Sequence, residues 1–115
     1  MADEIVYIDV NDGVRRVMNN LKLYVKLLIK FKEGTKFDEL EDSLASNNWE
    51  KAQSEAHAIK GVAANLSLPE LFKQSLELET QIKAKAVKPG QLEIVIDTFN
   101  KTIVEADKVI EKNAG

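Results

Sequence analysis

The stretch that decides the fold is residues 47–70, NNWEKAQSEAHAIKGVAANLSLPE. Its apolar side chains recur every three or four residues, which places them on one face of an α-helix. They are Trp49, Ala52, Ala56, Ile59, Ala63 and Leu66. The Asn47-Asn48 pair is typical of a helix N-cap. Residues 67–70, Ser-Leu-Pro-Glu, predict a capping box with proline in the first turn of a following helix.

The sequence before this stretch predicts further helices. A short helix is expected over residues 11–18, capped by Asp9 or Asn11, and another begins after Asn20. Gly34 and Thr35 interrupt that second helix. The pattern on their two sides fits either two helices or one long bent helix.

The sequence after it predicts two more. The helix that begins near residue 68 has its apolar face at Leu68, Leu71, Ser75, Leu78 and Ile82. A turn at residues 88–90, Lys-Pro-Gly, leads to the last helix. The apolar face of that helix is formed by Leu92, Ile96, Phe99, Ile103, Ala106 and Ile110.

These elements predict an all-α fold. Because short loops make consecutive helices antiparallel neighbours, we expect an antiparallel up-and-down four-helix bundle with a short extra N-terminal helix. The 115 residues are expected to form a single domain (1–115), with a loosely ordered N-terminal segment over residues 1–8.

Composition excludes several classes of function. The net charge is -3, which does not favour nucleic acid as a partner. The chain has no cysteine, so it has no disulfide, thiolate metal site or thiol chemistry. It shows no secretory signal and no apolar run of membrane-spanning length. We expect a cytoplasmic monomer that does not bind membranes.

The chain contains one histidine, His57, which points away from the apolar face of its helix. Its helical neighbours are Gln53, Ser54, Lys60, Gly61 and Ala64. A glycine inside a helix suggests that a partner approaches closely there. The ammonium of Lys60 would favour a neutral, nucleophilic imidazole and would stabilise an attached phosphoryl group. The residues alone equally fit an exposed histidine on an ordinary helix.

Residues 56–71, AHAIKGVAANLSLPEL, together with Leu76-Glu77 and Leu78-Glu79, resemble the signature of the histidine-phosphotransfer (HPt) family. Upstream, residues 12–31 and 37–56 resemble the two preceding segments of that family. The resemblance covers residues 9–85, and the last helix fits by its pattern alone. Ser67 stands where the family usually has glycine. Since serine can cap the next helix, we expect the turn to be preserved.

The resemblance implies a phosphorelay carrier without kinase activity. It implies the following site: His57 accepts the phosphoryl group, Lys60 stabilises its charge, Gly61 and Ala64 leave room for a receiver domain, and Gln53 and Ser54 lie on the docking face. Val14, Val17 and Met18 belong either to that face or to the core. The expected partners are response-regulator receiver domains and a hybrid sensor histidine kinase. The chain itself needs no metal or cofactor, because the receiver supplies the Mg²⁺.

Two other interpretations remain open. One is a helical adaptor that binds a receiver or a partner helix without accepting phosphate. The other is an HPt domain cut from a larger hybrid or chemotaxis-type kinase, although Met1 favours a free-standing protein. A Ser-His-Asp triad is not expected, because Ser54 shares the helix of His57 and no acidic residue is placed by the sequence to orient the ring.

Overall fold

The structure is a computed structural model that describes residues 5–113. Every regular element in this range is helical, which confirms that the fold is all-α. The six helices are α1 (Val10–Arg16), α2 (Leu21–Gly34), α3 (Asp38–Ala45), α4 (Trp49–Asn65), α5 (Pro69–Lys83) and α6 (Gln91–Lys112). None of these helices within residues 5–113 has both the length and the apolar character that a membrane span requires.

The N-terminal prediction is met in part. Asp9 caps α1 by accepting a hydrogen bond from the Asp12 amide, as one of the two predicted caps. The helix ends at Arg16 rather than at residue 18, because Met18 has a left-handed φ of 60° that no α-helix continues. Residues 5–8 form no regular element, and residues 1–4 of the expected N-terminal segment lie outside the described residues.

The interruption at Gly34 and Thr35 separates two helices. Thr35 has extended backbone angles after α2, and Phe37 precedes α3. An aromatic cluster holds the two pieces against α6: the ring centroids of Phe31 and Phe37 each lie 5.3 Å from that of Phe99, in edge-to-face arrangements. The chain can therefore turn between α2 and α3 while both remain on the core.

The helices surround one core. α4 packs against α3 and, most extensively, against α5; α5 packs against α6, and α6 against α2. The predicted face of α4 is confirmed, with Ala52, Ala56 and Ala63 essentially inaccessible and Trp49 and Ile59 partly buried against the core. Small side chains on this face allow α5 to approach α4 closely.

The buried line of α6 lies partly beside the predicted one. Phe99 and Ala106 are buried as predicted, and Val95, Thr98 and Thr102 are buried with them. The other predicted members are only partly buried: Leu92, Ile96, Ile103 and Ile110. The two threonines can occupy the core because each hydroxyl donates a hydrogen bond of 2.7 Å to a carbonyl one turn earlier in α6. Apolar periodicity did not identify them, since it counts threonine as polar.

We predict that Ser75→Ala stabilises the fold. The Ser75 side chain is 1% exposed, and its hydroxyl finds no hydrogen-bond partner in the described part of the chain. Removing an unsatisfied buried hydroxyl in favour of a better helix former should raise the free energy of unfolding by about 1 kcal/mol. Urea denaturation measures this change.

Ser43→Ala is the matched control. Ser43 is also buried in a helix, but its hydroxyl donates a 2.8 Å hydrogen bond to the Glu39 carbonyl. This variant gains the same helix propensity and loses a satisfied bond, so it should be less stable than Ser75→Ala. Equal stability of the two variants would show that the Ser75 hydroxyl is not a source of instability.

Candidate functional site

His57 lies midway along α4 on the side away from the core, as predicted. α4 begins after Asn48, whose side chain accepts a hydrogen bond from the Lys51 amide and so confirms the predicted N-cap. The alanines of α4 turn inward and leave the imidazole with 65% of its side-chain surface exposed. A partner can therefore reach the ring without any rearrangement of the core.

A buried carboxylate orients this ring, contrary to the prediction that no acidic residue would do so. Glu79 lies on α5, and its side chain is only 2% exposed. One of its oxygens, Oε2, lies 3.0 Å from His57 Nδ1, and the other, Oε1, lies 2.7 Å from Lys60 Nζ. The prediction was wrong because the acid comes from a neighbouring helix, and contacts between helices cannot be read from spacing within one helix.

The sequence carried a weak signal for Glu79. On a helical wheel of α5, this residue lies about 70° from the centre of the apolar face. That position borders the core and faces a neighbouring helix. The Leu78-Glu79 pair belonged to the recognised motif, but only the structure gives its acidic residue a contact.

Electrostatics keep Glu79 ionised. Burial by itself raises the pKa of this carboxyl, but the hydrogen-bonding groups of Lys60 and His57 and the charge of Lys83 together outweigh it and bring the pKa below its ordinary value. An ionised carboxylate can only accept hydrogen bonds, so it favours the imidazole tautomer with its proton on Nδ1. The lone pair of the ring is then on Nε2.

The two lysines near Glu79 differ in environment. Lys60 is held tightly, with a 2.7 Å ion pair and a side chain that is 19% exposed. Lys83, one turn after Glu79 on α5, is 57% exposed, and its Nζ lies 3.9 Å from Glu79 Oε2. Lys60 is thus part of a partly buried pair, whereas Lys83 is a loosely held surface cation.

The other predicted site residues divide between two separate grooves. Gln53 and Ser54 line a groove of about 370 Å³ together with His57 and Glu79. Ala64 lines a second groove of about 280 Å³, which continues across Phe72 on α5. Gly61 lies between them on α4, and a Cβ added there would meet no atom within 4 Å. The glycine therefore leaves free space on the outside of the helix and accommodates no neighbouring part of the described chain.

Ser67 has a different role from the predicted one. Leu68, with no side-chain hydrogen bond, occupies the N-cap of α5, so the expected capping box is absent. Ser67 instead has a left-handed φ of 58°, and its hydroxyl donates a hydrogen bond to Asp12. A left-handed backbone explains why glycine suits this position, and the turn is preserved as expected.

The same contacts fix α1 next to the second groove. The Asp9 amide donates a 2.9 Å hydrogen bond to the Ser67 carbonyl, and Arg16 pairs with Asp12 at 2.8 Å. The bonds from Arg16 and Ser67 lower the pKa of Asp12 to about 2. The sequence assigned three residues in and after α1 either to the docking face or to the core. Val14 and Val17 are partly buried against the core, and Met18 is 89% exposed.

The chain was also compared with known protein families. A family model described as Hpt domain matches residues 34–107, which include α3 to α5 and most of α6. The chain belongs to the Hpt-domain family. Members are phosphocarrier modules that work with receiver domains and histidine kinases in two-component phosphorelays. No curated protein and no solved structure matched the chain.

The family match overlaps the sequence resemblance over residues 34–85. The motifs included the last helix only by its pattern, whereas the Hpt match reaches residue 107. The match does not include residues 9–33, so the resemblance there stays a prediction.

Within residues 5–113, no three acidic or histidine side chains come together in a way that could hold a metal ion.

We predict that Glu79→Gln makes stability less dependent on pH. The folded-state pKa of Glu79 lies below its ordinary value of 4.5, so the carboxylate contributes stability that is complete above that value and is lost as the pH falls through the folded-state pKa. At neutral pH the variant should lose about 2 kcal/mol of unfolding free energy. The difference from wild type should shrink as the pH falls below about 4.5.

Urea denaturation across this pH range tests the prediction, with Glu93→Gln as the control. Glu93 is an exposed acid in the first turn of α6, so its replacement removes a carboxylate without disturbing a buried pair. A Glu79→Gln variant that is as stable as wild type at neutral pH would contradict the assigned role of the buried carboxylate.

Proposed function

We propose that this Hpt domain accepts a phosphoryl group on His57 from a receiver-domain aspartate and passes it to another receiver domain. The observation that carries the proposal is the His57–Glu79 contact. An exposed imidazole whose Nδ1 proton is held by a buried carboxylate presents the Nε2 lone pair to a partner. A histidine on an ordinary solvated helix face would need no buried partner.

The proposed transfer exchanges a P–O bond on the receiver for a P–N bond on His57. The Nε2 lone pair attacks phosphorus, the P–O bond to the receiver's aspartate breaks, and the aspartate leaves as a carboxylate. The imidazole, now bonded to phosphorus at Nε2 and still protonated at Nδ1, gains a positive charge. Glu79 lies 3.0 Å from Nδ1 and stabilises that charge without itself entering the bond change. Transfer to the next receiver is the reverse reaction.

The remaining site residues support this step. Lys60 adds positive charge to the site, which favours an attached phosphoryl group, and it holds Glu79 ionised. Gly61 and Ala64 are small residues that leave room for the receiver to dock. Gln53 and Ser54 form the other side of the docking face. In this proposal the receiver contributes the aspartate and Mg²⁺, and the Hpt domain contributes the nucleophile and no cofactor.

We also propose an oligomeric state, a location and a set of partners for the protein. The chain acts as a monomeric single domain in the cytoplasm, between a hybrid sensor histidine kinase and a response regulator, and does not bind nucleic acid.

We propose that the helices form an antiparallel four-helix bundle. Three members are α4, α5 and α6, the fourth is formed by α2 together with α3, and α1 is an addition to the bundle. The order of helix contacts around the core supports this arrangement.

We predict that His57→Gln abolishes phosphoryl acceptance and that Lys60→Ala only reduces it. A phosphohistidine needs the ring nitrogen, and His57 is the one histidine of the chain. Lys60 takes no part in the bond change and acts on the phosphoryl group through its charge alone. Because the imidazole that carries this group is exposed, the loss of that charge should reduce acceptance by only a few-fold, or roughly 0.2–1 kcal/mol. Each folded variant is incubated with a phosphorylated receiver, and acid-labile, base-stable label is measured.

Label that survives in His57→Gln would assign the acceptor to another residue. A protein that binds phosphorylated receivers but never acquires label would instead support the phosphate-independent adaptor. Complete loss in a folded Lys60→Ala variant would show that the lysine does more than supply charge.

We predict that Gly61→Arg blocks transfer while the fold remains intact. A Cβ at this position meets open space, so the larger side chain should not strain the helix. Arginine also has a higher helix propensity than the glycine that it replaces. It would, however, stand beside His57 where the receiver docks. Gly34→Arg is the matched control, because Gly34 also has open space but ends α2 on another part of the surface.

Transfer rates from a phosphorylated receiver and urea denaturation are measured for both variants. The expected pattern is normal stability in both and loss of transfer in Gly61→Arg alone. Normal transfer in Gly61→Arg would remove Gly61 from the docking face.

A further inference from the structure

The site has two cations, and they are not equally available. Lys60 Nζ lies 2.7 Å from Glu79 Oε1 in a largely buried pair. A phosphoryl group on Nε2 would be on the side of the ring away from Glu79, since Nδ1 faces that carboxylate. Lys60 could reach it only by leaving a buried carboxylate that needs a cation to remain ionised.

Lys83 has no such constraint. Its side chain is 57% exposed, and the 3.9 Å distance from Glu79 Oε2 is too long for a hydrogen bond. It lines the same groove of about 370 Å³ as His57, and it is the one cation among the groove's described residues. The groove also contains Glu50, whose charge would repel a phosphoryl group.

Charge balance gives Lys83 a reason to move. With a neutral imidazole, the charges of Glu50 and Glu79 balance those of Lys60 and Lys83. Transfer adds a phosphoryl group with two negative charges to a ring that has gained one positive charge, so the site gains one net negative charge. The exposed ammonium of Lys83 can turn from Glu79 to the phosphoryl oxygens, because a lysine side chain has the flexible stem to reach them.

We propose that Lys83 is the cation that contacts the phosphoryl group on His57, and that Lys60 acts mainly by fixing Glu79. This inference rests on the proposed function, because it concerns the phosphorylated state of the same histidine. It predicts separate effects for the two lysines, with Lys83 acting on the phosphoryl group and Lys60 on the carboxylate beneath the ring.

Potassium phosphoramidate provides a test without a partner protein. In this reaction the P–N bond of the reagent breaks, ammonia leaves, and Nε2 forms the new bond to phosphorus. The second pKa of the resulting phosphoryl group is then measured by ³¹P NMR titration. Because a nearby cation favours the dianion, Lys83→Ala should raise that pKa by about 0.5 units.

Three variants separate a direct contact from a general charge effect. Lys83→Arg keeps the cation and should keep the wild-type value. Lys73→Ala removes an exposed lysine on another face of α5 and should also leave the value unchanged. Lys60→Ala should shift it less than Lys83→Ala. A wild-type value in Lys83→Ala, or an equal shift in Lys73→Ala, would overturn the assignment.

The test separates this inference from the proposed function. Phosphorylated wild-type protein is also incubated with receiver domains. If the label never transfers, the proposed relay function fails, while the comparison of phosphoryl pKa values still decides the role of Lys83. If phosphoramidate yields no phosphohistidine in the wild type, His57 is not an available nucleophile and both proposals fall.

Discussion

Burying a carboxylate is unfavourable unless positive charge and hydrogen-bond donors meet it, and the site depends on how the chain satisfies this requirement at Glu79. α5 contributes the acid, and α4 contributes both His57 and Lys60. The two helices must therefore keep one relative position, because a shift along either axis would leave an ionised group unpaired. The alanines on the inner face of α4 make the required close approach possible.

A second contact fixes the short first helix. Gly13 is pressed against the ring of Tyr24, where any Cβ would overlap the aromatic carbons. The buried Tyr24 hydroxyl donates a 2.7 Å hydrogen bond to the Leu66 carbonyl at the end of α4, and burial with the charges of Asp9 and Asp12 raises the pKa of Tyr24 to about 12. Since Ser67 follows directly, α1, α2 and the α4–α5 turn meet at one point.

The contrast between what the sequence predicted and what it did not has a physical cause. The helices, the exposure of His57 and the N-cap at Asn48 depend on patterns within one segment, which periodicity and local hydrogen bonding determine. The partners of Glu79 and the bond from Ser67 to Asp12 lie between segments that are distant in sequence. For these contacts the sequence gives the residue types but not their relative positions. The capping box was predicted from local sequence alone, whereas the Ser67 hydroxyl bonds to Asp12 on α1.

In the proposed relay, the division between buried and exposed charge suits a phosphoryl group that must be released again. The contacts of Glu79 with His57 and Lys60 orient the ring from a carboxylate that is protected from solvent, and the proposed transfer does not require either contact to break. The proposed phosphoryl position is on an exposed imidazole, where an ion pair contributes only about 0.2–1 kcal/mol. A strong buried pair at that position would retain the phosphoryl group, and an unoriented ring would present Nε2 for only part of the time. A ring that is held firmly while its phosphoryl group is bound only weakly would therefore allow transfer in either direction.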